Sequence, residues 1–291
     1  MNLINLASDL SLSSGPTHPA GTQSLGRGIK LMRVIASRPQ FGWRLSDLAA
    51  VCGQDRATVH RMLACLVEER LVEQRASDRH YLPGPLMYEL GFALSERAQF
   101  QRRVESVVQT FARRMAGIAL FMLRSGQEYV CTARSGGLPL TGLMVYPGTR
   151  KPLFTSVGGV AILQTLPSDE VHRILLDNVA QEIARRGKGR LHALQAMRER
   201  SELHGFGVNL GDVVPGIHAF AVPVLDAQGQ ALGAICLMGT PELYGEERLQ
   251  SIHQALLDTA EVLHQEKYIA QVAKDVAHSR DVLFLGRGIM Y

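Results

Sequence analysis

The sequence predicts an α+β chain: an N-terminal winged helix-turn-helix, a linker helix, and a C-terminal sensor domain built on an antiparallel sheet. Three observations carry this. Leu45 to Gly84 reads as helix, tight turn, basic helix and basic hairpin. After Gly117 the apolar period shifts from 3.6 toward 2, the mark of strands. Leu249, Ile252, Leu256, Ala260 and Leu263 then stripe a long closing helix.

Each element has a local cause. Ser24 to Ser37 places Leu31, Val34 and Ile35 on one helical face, and Pro39 follows as a stop. Phe41-Gly42-Trp43 is a turn, with the single tryptophan set to pack on the small bundle. Leu45, Leu48, Ala49 and Cys52 repeat at helical spacing until Gly53 breaks the helix. Asp55 caps the next helix, where Val59, Met62, Leu63 and Leu66 face inward. The opposite face carries Arg56, Thr58, His60 and Arg61. Leu71 to Gln74 and His80 to Leu82 make a wing with Arg75 and Arg79 at its tip. Donors massed on the second of two short helices suit the DNA major groove.

Leu86 to Ala98 reads as a linker helix and Phe100 to Ala116 as a second helix. Ala119–Leu123 and Glu128–Ala133 pair as a hairpin across Ser125-Gly126-Gln127. Phe154 to Gly159 opens an apolar helix, Ser168-Asp169-Glu170 caps another, and Arg190 to His204 is a charged surface helix. Ile217–Leu225 and Ala231–Gly239 form a central hairpin. The expected division is 1–22 as a disordered arm, 23–85 as the DNA-binding domain, 86–99 as the linker helix, 100–268 as the effector-binding domain and 269–291 as a tail.

Bulk properties narrow the function. The 291 residues suffice for two domains. No apolar run approaches the roughly 18 residues of a membrane span, and no secretory leader is evident, so a cytoplasmic chain without a membrane partner is expected. Residues 21–84 hold ten Lys/Arg against six Asp/Glu, so the positive excess coincides with the helix-turn-helix. Cys52, Cys65, Cys131 and Cys236 stand apart in apolar surroundings without a C-x-x-C pair. They read as small buried hydrophobes, with neither a metal site nor a disulfide framework. No G-x-S-x-G, H-E-x-x-H or P-loop is present, and the ten histidines are scattered, so no enzyme activity and no cofactor are expected.

In this order and spacing the segments from about residue 23 to 265 resemble the IclR family of bacterial transcription factors. The residues that carry the resemblance are Ser24-Leu25-Gly26-Arg27-Gly28, Ala57 to Leu63, Tyr81 with Gly84, Pro152 to Ser156, and Pro215-Gly216-Ile217-His218 followed by Ala221-Val222-Pro223-Val224. The resemblance implies a GAF-like C-terminal domain, a small organic acid as effector, and dimers or dimers of dimers on palindromic operators. One short recognition helix reads only a few base pairs, which independently favours a two-fold pair. Leu86 to Leu94 is the expected dimer seam. Arg56 and Thr58 are assigned to base edges and Arg61 to a phosphate or a guanine, with His60 beside them. Arg27, Lys30, Arg75 and Arg79 are assigned to the DNA backbone.

The resemblance also puts the effector between the sheet and the stretch Thr155 to Gly159. Gly158 and Gly159 allow close backbone approach there, and Thr155 and Ser156 offer hydroxyls, which equally suit a helix cap. Asp212 and His218 are further polar candidates. The chain departs from the family where Gly159 stands for a basic residue, Ala219 for a cysteine, and Cys236 and Met238 for small polar residues. These replacements predict an effector with more apolar or aromatic bulk than glyoxylate or pyruvate.

Asp281 to Gly288 resembles the start of the sugar isomerase part of glucosamine-6-phosphate synthase, and reads as a fusion scar or frame accident without catalysis. The alternatives to a DNA-binding regulator are a ligand-binding module without DNA binding and a non-functional fusion with that isomerase fragment. Deleting residues 270–291 is expected to leave DNA binding unchanged in a gel shift; loss of folding on truncation contradicts the reading of the tail.

Overall fold

A computed structural model describes residues 3, 4, 6, 21–138, 145–226 and 228–264. The tail expected at 269–291 lies outside them. The described residues fall into two compact units, 21–95 in one, and 96–264 with Leu3, Ile4 and Leu6 in the other.

The first unit is a three-helix bundle with a hairpin. Helices α1 (Gln23–Ala36), α2 (Leu45–Cys52) and α3 (Arg56–Glu68) precede strands β1 (Val72–Gln74) and β2 (Tyr81–Pro83). Leu31, Ile35, Leu48, Val59, Leu63 and Val72 form its core. Trp43 is buried there as expected, its ring face covered by the Arg38 guanidinium 3.9 Å from the centroid. Its backbone exchanges hydrogen bonds with Tyr81 at 3.0 and 2.8 Å, which adds a third short segment to the wing. Gly84 must be glycine, because a Cβ there would stand 2.3 Å from the Arg70 carbonyl oxygen.

Helix α4 (Pro85–Gly91) follows with Pro85 in its first turn. A 3-10 turn at Phe92–Leu94 separates it from α5 (Ser95–Met115). The break thus falls several residues earlier than the sequence pattern suggested. None of α4 is buried.

The second unit holds β3 (Ile118–Ser125), β4 (Glu128–Ser135), β5 (Arg150–Pro152), α6 (Val157–Leu163), α7 (Ser168–Arg186), α8 (Leu191–His204), β6 (Gly207–Leu210), β7 (His218–Leu225), β8 (Ala231–Gly239) and α9 (Leu249–His264). The strands form one antiparallel sheet in the order β5-β4-β3-β8-β7-β6. Alternation sorts the side chains onto two faces. Leu120, Met122, Cys131, Ala219, Ala221, Cys236 and Met238 share a core with α6, α7 and α8. Ala119, Phe121, Phe220, Val222, Ile235 and Leu237 share the other with α5 and α9. A bulge in the β3–β4 ladder, between Phe121 and Met122, puts Cys131 on the first face and Ala133 on the second.

Several expectations need correction. Ser168 does not cap α7; it is the first helical residue, behind Pro167. Helix α8 is not a mere surface helix, since Leu191, Leu194, Gln195, Met197 and Ser201 are buried. Arm residues Leu3 and Leu6 are not disordered but buried in the C-terminal core, each with 5 % exposure or less. Leu120→Ala is expected to cost about 2–5 kcal/mol of stability, because the site is fully buried at mid-sheet; urea denaturation of the variant measures it.

Candidate nucleic-acid interface and effector site

The joint between α2 and α3 is set by backbone chemistry. Gly53 takes the left-handed conformation (φ 64°, ψ 41°), and the Gly53 and Gln54 N–H groups donate to Ala50 and Ala49 carbonyls at 3.2 and 3.0 Å. Two residues later Asp55 Oδ1 accepts from the Thr58 N–H at 2.8 Å. Hydrogen bonding from the Thr58 side chain, and then from this N–H, holds the Asp55 carboxyl below the usual range, and the N–H bond satisfies a free amide at the helix start. Val59 and Leu63 of α3 are buried, while Arg56, Ala57, His60 and Arg61 are exposed. Thr58 lies between, its hydroxyl accepting from Arg61 Nη2 at 3.2 Å. Among the described residues no salt bridge occupies Arg56 or Arg61.

The expected backbone contacts divide. Arg27 and Arg79 are exposed, and Arg79 holds a left-handed turn position (φ 61°). Lys30 Nζ donates to the Cys52 carbonyl at 3.1 Å, where it serves the C-terminal end of α2. Arg75 is committed further: its guanidinium meets Asp78 at 2.7 Å and the Phe41 and Gln40 carbonyls at 2.9 and 3.3 Å. It braces the wing on the bundle, and its hydrogen bonds hold Asp78 well below the ordinary carboxylate range. Cys65 is exposed on α3, contrary to the expectation that all four cysteines are interior. Cys52, Cys131 and Cys236 are buried; burial pushes Cys131 up to about 12 and raises Cys236 as well, so neither becomes a thiolate near neutral pH.

The proposed effector residues separate by face. Thr155, Ser156, Gly158, Gly159, Cys236 and Met238 lie on the α6 side of the sheet. His218 does not. Phe220 and Val222, which follow it on the same face of β7, belong to the α5–α9 core, and its Nδ1 is 2.7 Å from the Tyr244 carbonyl. Asp212 is paired with Arg200 at 3.3 Å and accepts from the Leu210 N–H. Both therefore have structural partners.

The α6 start is also more occupied than expected. Ser156 Oγ accepts from the Gly159 N–H at 3.1 Å, and Thr155 Oγ1 donates to the Pro152 carbonyl at 2.7 Å. A Cβ at Gly158 would lie 2.6 Å from Met122 Sδ and 2.7 Å from Cys236 Sγ. One at Gly159 would lie 1.8 Å from the Leu153 carbonyl oxygen. These glycines are required by packing, and the second leaves no room for the basic side chain that the family resemblance suggests. Sequence reasoning missed Met122 and Tyr129 beneath this helix. Tyr129 is buried and hydrogen-bonds toward Ser156 and Thr155, with burial raising its phenol. Alternation within the β3–β4 hairpin was the signal available for both.

A solvent-facing cationic helix after a tight turn, a wing behind it, and a separate helix-clad sheet define a winged-helix DNA-binding regulator with a C-terminal accessory domain. Residues 24–76 match the IclR helix-turn-helix domain, and residues 94–265 match the bacterial transcriptional regulator IclR C-terminal domain. The chain belongs to the IclR family of transcriptional regulators. It is 22 % identical over 237 residues to the HTH-type transcriptional regulator KipR of Bacillus subtilis, covering 80 % of this chain and 92 % of KipR. The crystal structure of an IclR family regulator from Brucella abortus shares the fold at a TM-score of 0.64 and 20 % identity, over 88 % of this chain and 97 % of that one. An IclR homolog from Microbacterium hydrocarbonoxydans, solved with 4-hydroxybenzoate, does so at 0.60 and 15 % identity, over 86 % and 100 %.

Gly158→Ala is expected to destabilise the C-terminal domain, and adding Cys236→Ala to recover part of the loss. Melting temperatures of the single and double variants give the coupling.

Proposed function

We propose that this chain binds a palindromic operator as a dimer or dimer of dimers, reading bases with α3, and responds to an organic acid held in the C-terminal domain. The observation that carries this reading is the exposure of Arg56, His60 and Arg61 on one face of α3, where, among the described residues, no salt bridge engages either arginine. Arg56 sits at the helix N-terminus, where base edges come within reach in this motif, and Arg61 lies one turn on. Arg27 and Arg79 act as phosphate contacts. Lys30 and Arg75 act chiefly within the domain, given their bonds to Cys52, Asp78 and Phe41.

The pairing of two chains is supported by the linker. Tyr88, Leu90, Phe92 and Leu94 are 50–72 % exposed, with the Tyr88 and Phe92 rings edge to face at 4.8 Å. Large apolar side chains exposed along the linker favour burial against a second copy.

The effector reading rests on Ala219, Cys236 and Met238 on the α6 side, which give that face an apolar floor. The 4-hydroxybenzoate complex of the Microbacterium homolog is in keeping with an aromatic acid. Calorimetry with benzoate-type acids against glyoxylate and pyruvate tests it. Binding confined to the aromatic acids is expected, and selective tight binding of a two- or three-carbon acid contradicts it.

The DNA reading has a sharper test. Arg56→Ala is expected to cost about 1–3 kcal/mol of affinity for DNA from the upstream promoter and to relax specificity at one position. Arg79→Ala should weaken all sequences alike and flatten the salt dependence. Arg75→Ala should leave the salt slope unchanged and lower the melting temperature of the winged helix. Unaltered operator affinity in an Arg56→Ala/Arg61→Ala variant contradicts the assignment of α3.

A further inference from the structure

Asn178 is buried in the C-terminal domain with nothing to bond to among the described residues. It stands on α7 with no exposed surface, beside Ile174, Leu175 and Val179 of the first core. Both Oδ1 and Nδ2 of its amide are shut off from solvent and neither has a hydrogen-bond partner. Trp43, Gln54 and Thr132 each leave one such atom; Asn178 leaves two. An amide carries two donors and an acceptor. Buried without partners it costs stability that an aliphatic side chain of the same size would not. Its polar neighbour on the helix is already answered: Glu182, one turn on and also buried, accepts from Arg190 Nη1 at 2.8 Å.

The position of α7 gives the amide a use. Arg124 Nη2 donates to Glu170 Oε1 at 2.5 Å, and Gln127 Nε2 to Asp177 Oδ2 at 2.7 Å. These bonds tie α7 to the β3–β4 hairpin. The helix also packs on the Leu153–Thr155 turn that leads into α6. Asn178 stands three and four residues after Leu175 and Ile174, so it shares their face, the one turned to the core that includes Cys236 and Met238.

We propose that Asn178 recognises a hydroxyl group on the effector. This rests on the reading that the C-terminal domain holds an organic acid, and it names a second group that the acid carries. One hydroxyl can accept from Nδ2 and donate to Oδ1, so a single group satisfies both atoms. A carboxylate only accepts; it leaves Oδ1 unanswered and would stand within a turn of the Glu182 carboxylate. The acid group is therefore held elsewhere, and Asn178 selects among acids by what they bear at the other end. A site of this kind rejects the analogue without the hydroxyl, because the amide is then left unpaired again. The ligand class is a hydroxylated organic acid, a hydroxybenzoate among the aromatic ones.

Calorimetry on the full chain with 3- and 4-hydroxybenzoate against benzoate tests this, beside an Asn178→Leu variant. In the natural chain at least one hydroxybenzoate is expected to bind roughly tenfold or more tighter than benzoate. In the variant that preference is lost while benzoate still binds. Without ligand, Asn178→Leu is expected to raise the melting temperature of the C-terminal domain by about 2 °C or more, since it removes an unpartnered amide. Hydrogen exchange supplies a readout that needs no variant: 171–186 should be protected more by the hydroxybenzoate than by benzoate at equal saturation. Equal affinity of the natural chain for benzoate and both hydroxybenzoates, or a preference that survives in the variant, overturns the proposal. A lowered melting temperature, the mark of an amide held by structural partners, overturns it as well. If none of the acids binds the natural chain, the aromatic-acid reading itself fails; in the other contrary outcomes that reading stands and only the role of Asn178 falls.

Discussion

The turn from α2 to α3 is the constraint on which the rest of the DNA-binding surface depends. Gly53 reverses the chain in a conformation that a Cβ would strain, and Asp55 starts the next helix at once by accepting from Thr58. This geometry rotates α3 so that Val59 and Leu63 enter the core while Arg56, His60 and Arg61 face solvent. Burial of a narrow stripe anchors the helix, and the remainder of its surface stays free to carry charge. Arg75 and Lys30 belong to the same economy. Each looks like a DNA contact by composition, yet each is used to hold the bundle and wing together.

In the C-terminal domain the equivalent constraint is close packing of α6 on the sheet. Gly158 and Gly159 let the helix backbone sit against Met122, Cys236 and the Leu153 carbonyl. The apolar floor beneath the first turn of α6 is therefore occupied by helix packing. The helix is only seven residues long, and its Gly159 amide is already capped by Ser156.

Much of this was legible in the sequence, because the signals were local. Helical spacing gave α1, α2, α3 and α9, a period moving toward two gave β3 and β4, two apolar runs about a polar turn gave β7 and β8, and the Asp55 cap fell where the pattern put it. The failures are non-local. Strands β5 and β6 have three and four residues and exist by pairing with β4 and β7. The face of His218 depends on register against β8, which neighbouring residues in sequence do not reveal. A glycine that permits ligand approach and one that permits helix packing look alike in a single chain, and only the contact at Leu153 tells them apart. Composition, rich in Ser, Gly and Pro, argued for a disordered arm, because the buried partner of the Leu3 amide lies 192 positions away in sequence.

The central claim is that α3 is the surface that meets DNA. Its most direct test is a hydrogen-exchange footprint of the intact protein with and without duplex DNA from its upstream region. Added protection centred on residues 55–64, with a lesser effect at residues 75–80, is the result this account predicts. Protection confined to the C-terminal domain, or none at α3 under conditions where the DNA is bound, would contradict it.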